Sequence, residues 1–217
     1  MTTPNTLVFF DLETGGLNWW PHEVNGHQVP MSAITQIAAL AIDRETGAEI
    51  GEPLEIKIKF REDLADPKAL EINHYDHEVW TRDALAPKEA IAALTFWLEP
   101  HKVHQRVSGR TGRAYRVAEL AGHNCESFDI HFLGSFFKLM GQFMPCDFRT
   151  LNTLQLAKFY HELLGVSFDD YKLDTLAKAL GVALEGDAHD ALVDVRTTVA
   201  IWRTMMTHLG GHWRATA

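Results

Sequence analysis

The sequence predicts an α/β fold, a sheet covered by helices, and three observations carry the prediction. Leu7-Val-Phe-Phe-Asp-Leu-Glu13 is a continuous apolar run closing on acids, the pattern of a central strand covered on both faces. Leu54, Ile56, Ile58 and Phe60 alternate with Glu55, Lys57 and Lys59, the period of two expected of a half-buried, antiparallel strand. From Leu151 onward the apolar residues fall at helical spacing. With 217 residues and 46% hydrophobic side chains the chain is long enough to bury a substantial core. No repeat, linker or low-complexity tract divides it, so residues 1–217 are expected to form a single domain.

The elements follow in order. Gly15 and Gly16 end the first strand, and Gln36 to Ile42 forms a second apolar run before the alternating strand at 54–60. Pro67 to Asp83 reads as short helical turns, and a helix begins at Pro87, a good first-turn residue, with Ile91, Leu94 and Leu98 on one face. The segment from about 100 to 118 carries Lys102, Arg106, Arg110, Arg113 and Arg116 and no acid. Its Gly109 and Gly112 predict a hairpin or mobile loop inserted in the domain, a candidate contact for a polyanion. A short strand is expected at 119–122, then a helix carrying Phe128, Phe132, Phe136 and Met140, with Asn124 or Ser127 as its cap. Met144 to Arg149 reads as the last strand. Helices are expected at Leu151–Leu164, Leu173–Leu180 and about Ala188–His208.

Composition excludes several classes. The longest nearly apolar stretch, Ile34–Ile42, is far short of the ~20 residues that span a bilayer. The N-terminus lacks the basic and apolar regions of a secretory signal, and Cys125 and Cys146 alone make no disulfide framework, so a cytoplasmic setting and no membrane contact are expected. A formal charge of −9 argues against a protein that coats polyanions.

Three clusters carry chemistry. Asp11 and Glu13 project from one side at the carboxyl end of the first strand, where open α/β sheets place ligands and where two like charges need solvent or a cation. Gly122-His-Asn-Cys-Glu-Ser-Phe-Asp129 lies at a strand-to-helix junction, with Asp129 in the first turn, where the helix dipole favours a carboxylate. Ala188-His-Asp-Ala-Leu-Val-Asp194 opens the last helix. Asp194 there heads the line Thr198, Ile201, Met205, and His189 sits at the helix start. Each cluster alone reads equally as a solvated strand end, a dipole-complementing acid or a surface histidine. Together, in this order, they are specific.

The combination resembles the DEDDh, DnaQ-like family of 3′-to-5′ exonucleases. Asp11-Leu-Glu-Thr-Gly-Gly-Leu17 matches the family's first motif, His123–Asp129 the second and His189–Asp194 the third, with Leu173-Asp-Thr-Leu-Ala177 ahead of the third also similar. The resemblance implies a ribonuclease H-like fold, a mixed five-stranded sheet with one antiparallel strand, flanked by helices. It implies that Asp11, Glu13, Asp129 and Asp194 hold two Mg²⁺ or Mn²⁺ ions and that His189 is the general base. Thr14, Gly15, Gly16 and Leu17 would meet the terminal nucleotide, Phe128 would pack on a base, and His123 and Asn124 would support the site. Two divalent ions suit the chemistry, since they neutralise the scissile phosphate, supply hydroxide and stabilise the leaving oxygen. They would also offset four of the nine excess negative charges. Gly15, Gln36 and Asn152 stand where the family often has Thr, Glu and Asp, and none is a metal ligand.

The expected activity is removal of nucleoside monophosphates from a 3′ end, single-stranded or frayed, with DNA favoured over RNA. An exoribonuclease of the same family and a non-catalytic or polymerase-associated protein that keeps the fold are the alternatives. A polymerase or repair partner remains open, as does oligomeric state, although the few residues after the last helix favour a free-standing enzyme. His74 with His77, and His101 with His104, sit at three-residue spacing, but no Cys-x-x-Cys or His-Glu-x-x-His accompanies them to suggest zinc.

Overall fold

The computed structural model describes residues 5–183 and 189–210. Its strands are β1 (Thr6–Thr14), β2 (His22–Val24), β3 (His27–Val29), β4 (Ile34–Asp43), β5 (Leu54–Lys57), β6 (His104–Val107), β7 (Ala114–Val117), β8 (Leu120–Gly122) and β9 (Leu151–Asn152). Its α-helices are α1 (Pro67–Ile72), α2 (His77–Asp83), α3 (Pro87–Leu98), α4 (Asp129–Leu139), α5 (Thr153–Leu164), α6 (Leu173–Ala179) and α7 (Ala191–His208).

The central sheet has the order β5-β4-β1-β8-β9. Strand β4 pairs antiparallel with β1 and β5, while β8 runs parallel to β1 and β9 parallel to β8, so one strand of five opposes the rest. This is the mixed sheet that the sequence led us to expect. Two helical layers cover it, each on its own core. Val8, Phe10 and Leu12 of β1 bury against α3 and α4 through Ile91, Leu94, Ile130, Leu133 and Phe136. Leu7 and Phe9 face the other way, against Val195, Val199 and Trp202 of α7, with the Phe9 and Trp202 rings edge-on at 5.6 Å. Because successive strand residues alternate faces, Asp11 and Glu13 continue the Leu7 and Phe9 side. The opposite flank of α7, Ile201 and Met205, buries against α5 and α6, which is why Asp194 heads a second apolar line. No helix among the described residues is long and apolar enough to cross a membrane.

Four boundaries differ from expectation. The last sheet strand is Leu151–Asn152; the 144–149 segment touches the sheet through one bridge, Ala118 to Cys146. Pro145 has no N–H to donate, so this segment cannot build a full ladder. Helix α4 has Phe128 as its N-cap with no side-chain cap bond, because the Ser127 hydroxyl donates instead to Asn124 Oδ1 at 2.8 Å and to its carbonyl at 3.1 Å. Helix α7 starts at Ala191, capped by Asp190, whose Oδ1 accepts from the N–H groups of Leu192 and Val193; Ala188 lies outside the described residues. The strand at 54–60 stops at Lys57. The basic segment does fold as a hairpin, β6 with β7.

A bulge marks the end of β1. Glu13 pairs with Gln36 but Thr14 pairs with Ile34, so Thr35 is left over. Its carbonyl accepts from Ile58 N at 2.8 Å and from the Trp80 indole N–H at 3.1 Å. Beyond β1 the chain makes an arm. Its neck is closed by Ser32 N donating to Asn18 O at 2.7 Å, Asn18 N to Ser32 Oγ at 3.2 Å and Asn18 Nδ2 to the Pro30 carbonyl at 2.5 Å. The β2–β3 hairpin lies within it.

Candidate active site

The carboxyl end of β1 receives the N-terminal ends of α4 and α7, one from each helical layer, and a carboxylate in the first turn of either helix is favoured by the helix dipole. Asp129 is the first residue of α4 and is buried. Its Oδ1 accepts the backbone N–H of Leu12 at 3.1 Å, which fixes it to the strand between Asp11 and Glu13. Asp194 lies in the first turn of α7, half-buried, and accepts the backbone N–H of His189. Ligand atoms of Glu13, His189 and Asp194 all lie within 4.8 Å of one another, the one such group of three or more found among the described residues. His189 itself is exposed and left-handed, with φ 66°. Gly186 and Asp187, read as its flexible approach, lie outside the described residues.

Like charges and burial dominate the electrostatics of this cluster. Burial and then the charges of Asp129, Glu13 and Asp194 hold the Asp11 carboxyl well above the usual range. Burial, then Asp194, Asp129 and Asp190, pushes Glu13 up to about 8. Burial raises Asp129 despite the N–H groups it accepts, and burial raises Asp194 against the opposing influence of His189, with Asp190 and Asp174 adding to the negative field. Among the described residues none of the four pairs with a Lys or Arg. Four carboxylates gathered this way, with oxygen donors predominating, fit hard divalent cations.

The remaining candidates divide. Thr14, Gly15 and Gly16 are buried under neighbouring loops. The Thr14 hydroxyl donates to Gly16 O at 2.8 Å, a Cβ on Gly15 would sit 3.0 Å from Ala65 Cβ, and one on Gly16, at φ 152°, would sit 2.7 Å from Ser32 Oγ. Gly15 thus lets the strand end pass against Ala65, and Gly16 lets it pass against Ser32. Leu17, in contrast, is 82% exposed just past the acids. His123 has both ring nitrogens committed, Nδ1 to Thr153 Oγ1 at 3.0 Å and Nε2 to the Tyr171 carbonyl at 2.9 Å, so it braces the exit of β8 and has no ring nitrogen left for a ligand. Burial lowers its pKa, keeping it neutral. Asn124 is exposed with φ 56°, and Phe128 is half-buried, its ring 4.7 Å from Phe132. Gln36 is buried and donates to Glu55 at 3.2 Å. Of the histidine pairs, His77 faces Glu62 and His104 faces Glu119, while His101 packs on Trp97.

Sequence reasoning missed Asn73 and the partners of two positions that it did name, Asn152 and Gly122. Asn73 Nδ2 donates to the Thr14 carbonyl at 2.9 Å across 59 residues. Asn152 Oδ1 accepts from both Asn124 N and Leu154 N at 3.0 Å, joining the second motif to α5. Gly122 is required because a Cβ there would lie 2.8 Å from Cys125 Cβ and 2.9 Å from the Phe10 carbonyl. Its place just before His123 was the only available signal.

Residues 110–202 match the RNase T exonuclease family model, a span that holds the second and third clusters. No curated protein matches the chain. Solved structures share its fold: an exonuclease I from Methylocaldum szegediense at 21% identity and TM-score 0.70, covering 94% of this chain, and the zinc-bound E. coli exonuclease I–ssDNA complex at 21% and 0.72, also covering 94%. An exonuclease I complex with SSB-Ct matches at 20% identity and 0.69, covering 93%. The chain spans 41% of the length of each of these neighbours. The clustered acids thus stand at the strand ends of a fold shared with exonuclease I structures, and residues 110–202, which hold two of the three motifs, match an exonuclease family model.

Proposed function

We propose that the chain is a divalent-metal-dependent 3′-to-5′ exonuclease, acting on DNA in preference to RNA and releasing nucleoside monophosphates. The observation that carries this reading is the convergence of Asp11, Glu13, Asp129 and Asp194, drawn from three elements into one cluster, two of them buried and two half-buried, with no Lys or Arg partner among the described residues. Asp11, Glu13, Asp129 and Asp194 would hold two Mg²⁺ or Mn²⁺ ions, which when bound would neutralise the scissile phosphate, lower the cost of forming hydroxide and stabilise the leaving 3′-oxygen.

The chain's own residues do the rest. His189, at the exposed lip of the cluster, takes the proton of the attacking water and releases it to solvent. The Leu12 N–H holds Asp129 in place, so the position of one acid is set by the backbone beside the other two. Leu17 stacks on the terminal base, and the half-buried Phe128 and exposed Asn124 border it. His123 orders the loop between β8 and α4. Support for DNA comes from the fold neighbour bound to single-stranded DNA, and support for a divalent ion from the zinc in that same complex. The neighbour bound to SSB-Ct makes a repair partner a reasonable companion, and a single domain over the whole chain remains part of this reading.

Incubation with 5′-labelled DNA and RNA, single- and double-stranded, in Mg²⁺, Mn²⁺ or EDTA tests the reading. A ladder of products shortened from the 3′ end, on DNA first and in metal alone, is expected. No cleavage of any substrate in either metal, with Asp11→Ala indistinguishable from wild type, would sink it.

A further inference from the structure

The face of α4 turned away from the core is built for a second task. His131, Gly134, Ser135 and Lys138 fall at i, i+3, i+4 and i+7, one stripe of the helix, and they line a groove of about 390 Å³ with Trp19, Trp20 and Phe148. Trp19, 43% exposed, lies over the His131 ring at 4.9 Å with 30° between planes. The Lys138 ammonium sits 4.3 Å from the Trp20 ring centroid. Phe148, 60% exposed, rests against Gly134, where a Cβ would come within 2.9 Å of its ring. None of the groove's residues is acidic, in a chain whose net charge is −9.

The chain leads from the groove in two directions. Toward the acids, Trp19 and Trp20 stand on the arm that leaves β1 immediately after Leu17, and His131 follows Asp129 by two residues. Away from them, Phe148 runs into Arg149, whose side chain is 83% exposed, and both Arg149 and Arg106 of the β6–β7 hairpin pair with Asp147. Tyr115 and Phe143, edge-on at 5.6 Å, brace the hairpin against this segment.

Aromatic faces interleaved with cations, on the arm and the helix that directly follow Leu17 and Asp129 in the chain, match the stacking platforms and backbone-tracking charges that hold unpaired nucleic acid. We propose that Trp19, Trp20, His131, Lys138, Phe148 and Arg149 form a binding track for the single-stranded segment upstream of the 3′ end. This deepens the exonuclease reading and rests on it. Lys138 lies about 14 Å along α4 from Asp129 at 1.5 Å per residue, room for about four nucleotides at the stacked spacing of 3.4 Å.

The experiment uses the full chain with 5′-fluorescein oligothymidylates of two to twelve residues. Anisotropy in EDTA reads binding without turnover, and steady-state kinetics in Mg²⁺ reads KM against kcat. Wild type should bind more tightly, with falling KM, as length grows to about five residues, and then level off. Trp19→Ala should weaken twelve-residue binding about tenfold and flatten the length dependence, raising KM while kcat falls less than about twofold. Lys138→Ala and Arg149→Ala, both at exposed positions that leave the fold intact, should each reduce the salt slope of log affinity by about 0.7. An abasic twelve-mer should bind like the Trp19→Ala variant binds thymidylate.

Three results would overturn the track: unchanged length dependence in Trp19→Ala with a native circular dichroism spectrum, unchanged salt slopes in both cation variants, or abasic and normal strands binding alike to wild type. If wild type binds with the predicted length and salt dependence but cleaves nothing in metal, the track stands and the exonuclease reading falls. If it cleaves with no length dependence, the reverse holds.

Discussion

The backbone N–H of Leu12 donates to Oδ1 of Asp129 at 3.1 Å, joining residues 117 positions apart. One strand peptide thus presents Asp11 and Glu13 and, between them, orients the third acid. The bond also explains why Asp129 is aligned although helix α4 carries no side-chain cap.

Asp129→Asn keeps an acceptor for Leu12 and removes a charge. Metal-dependent cleavage should fall by at least about 100-fold, more than the loss typical of residues that merely support a metal ligand. The metal-free protein should not lose stability, and should gain on the order of 1 kcal/mol, since a desolvated negative charge leaves a cluster of like charges. Asp129→Ala, which also strands the Leu12 N–H, should be less stable than Asp129→Asn by about 1–3 kcal/mol. Urea unfolding in EDTA, beside kcat in Mg²⁺, checks both halves.

Metal-free stability should decline as the solution becomes alkaline. Glu13 keeps its proton in the folded chain up to about 8, against an ordinary value of 4.5, and Asp11, Asp129 and Asp194 are raised too. The folded state therefore binds more protons than the unfolded one, so this stabilisation is complete below about 4.5 and lost as pH rises through about 8. His101 and His123, whose pKa values burial lowers, act in the opposite sense below their ordinary 6.5. The clean window is pH 6.5 to 8.5. Melting in EDTA should show Tm falling across it, and Mn²⁺ should raise Tm more at pH 8.5 than at 6.5; a Tm that climbs through this window in EDTA contradicts the charge assignment.

His189 and His123 should separate cleanly on substitution. His189→Ala, at an exposed position, should leave Tm near wild type and lower kcat by 100-fold or more, the usual worth of a positioned base. His123→Ala strands the Tyr171 carbonyl, while the Thr153 hydroxyl keeps the Gly122 carbonyl as its acceptor, so it should cost about 1–3 kcal/mol of stability and lower kcat far less than His189→Ala.

Gly122→Ala should be among the most damaging one-carbon changes. The new methyl would press on Cys125 Cβ and on the Phe10 carbonyl, neither of which is a flexible side-chain tip. A loss of about 1–3 kcal/mol is expected, the usual cost of overpacking a core, seen as a lower urea midpoint. Gly141→Ala, whose Cβ would meet nothing within 4 Å but whose φ is 67°, should cost about 1 kcal/mol through backbone strain alone.

What could be read from the sequence was whatever local pattern and charge determine. The apolar run of β1 and its acids, the alternation at Leu54–Lys57, the first-turn position of Asp129 and the two-sided burial of α7 all follow from periodicity. The edge strand Leu151–Asn152 does not, because two residues have no period and are strand only by pairing with β8. The expected Asn124 or Ser127 cap failed because Ser127 is satisfied by Asn124 instead of by the helix. Asn73 escaped notice, and Asn152 was legible only as a departure from the family pattern, for a related reason: their partners, Thr14 and Asn124, are tens of residues away, and only the folded chain introduces them.

The neck at Asn18 and Ser32 has a bearing on ancestry. Because the arm begins and ends at residues already bonded to each other, its length is decoupled from the register of β1 on β4. Such a joint lets one lineage lengthen, trim or exchange the hairpin while the acid-bearing strand behind it is inherited unchanged. The arm is thus the part of this domain in which descent can adjust diet without rebuilding the tooth.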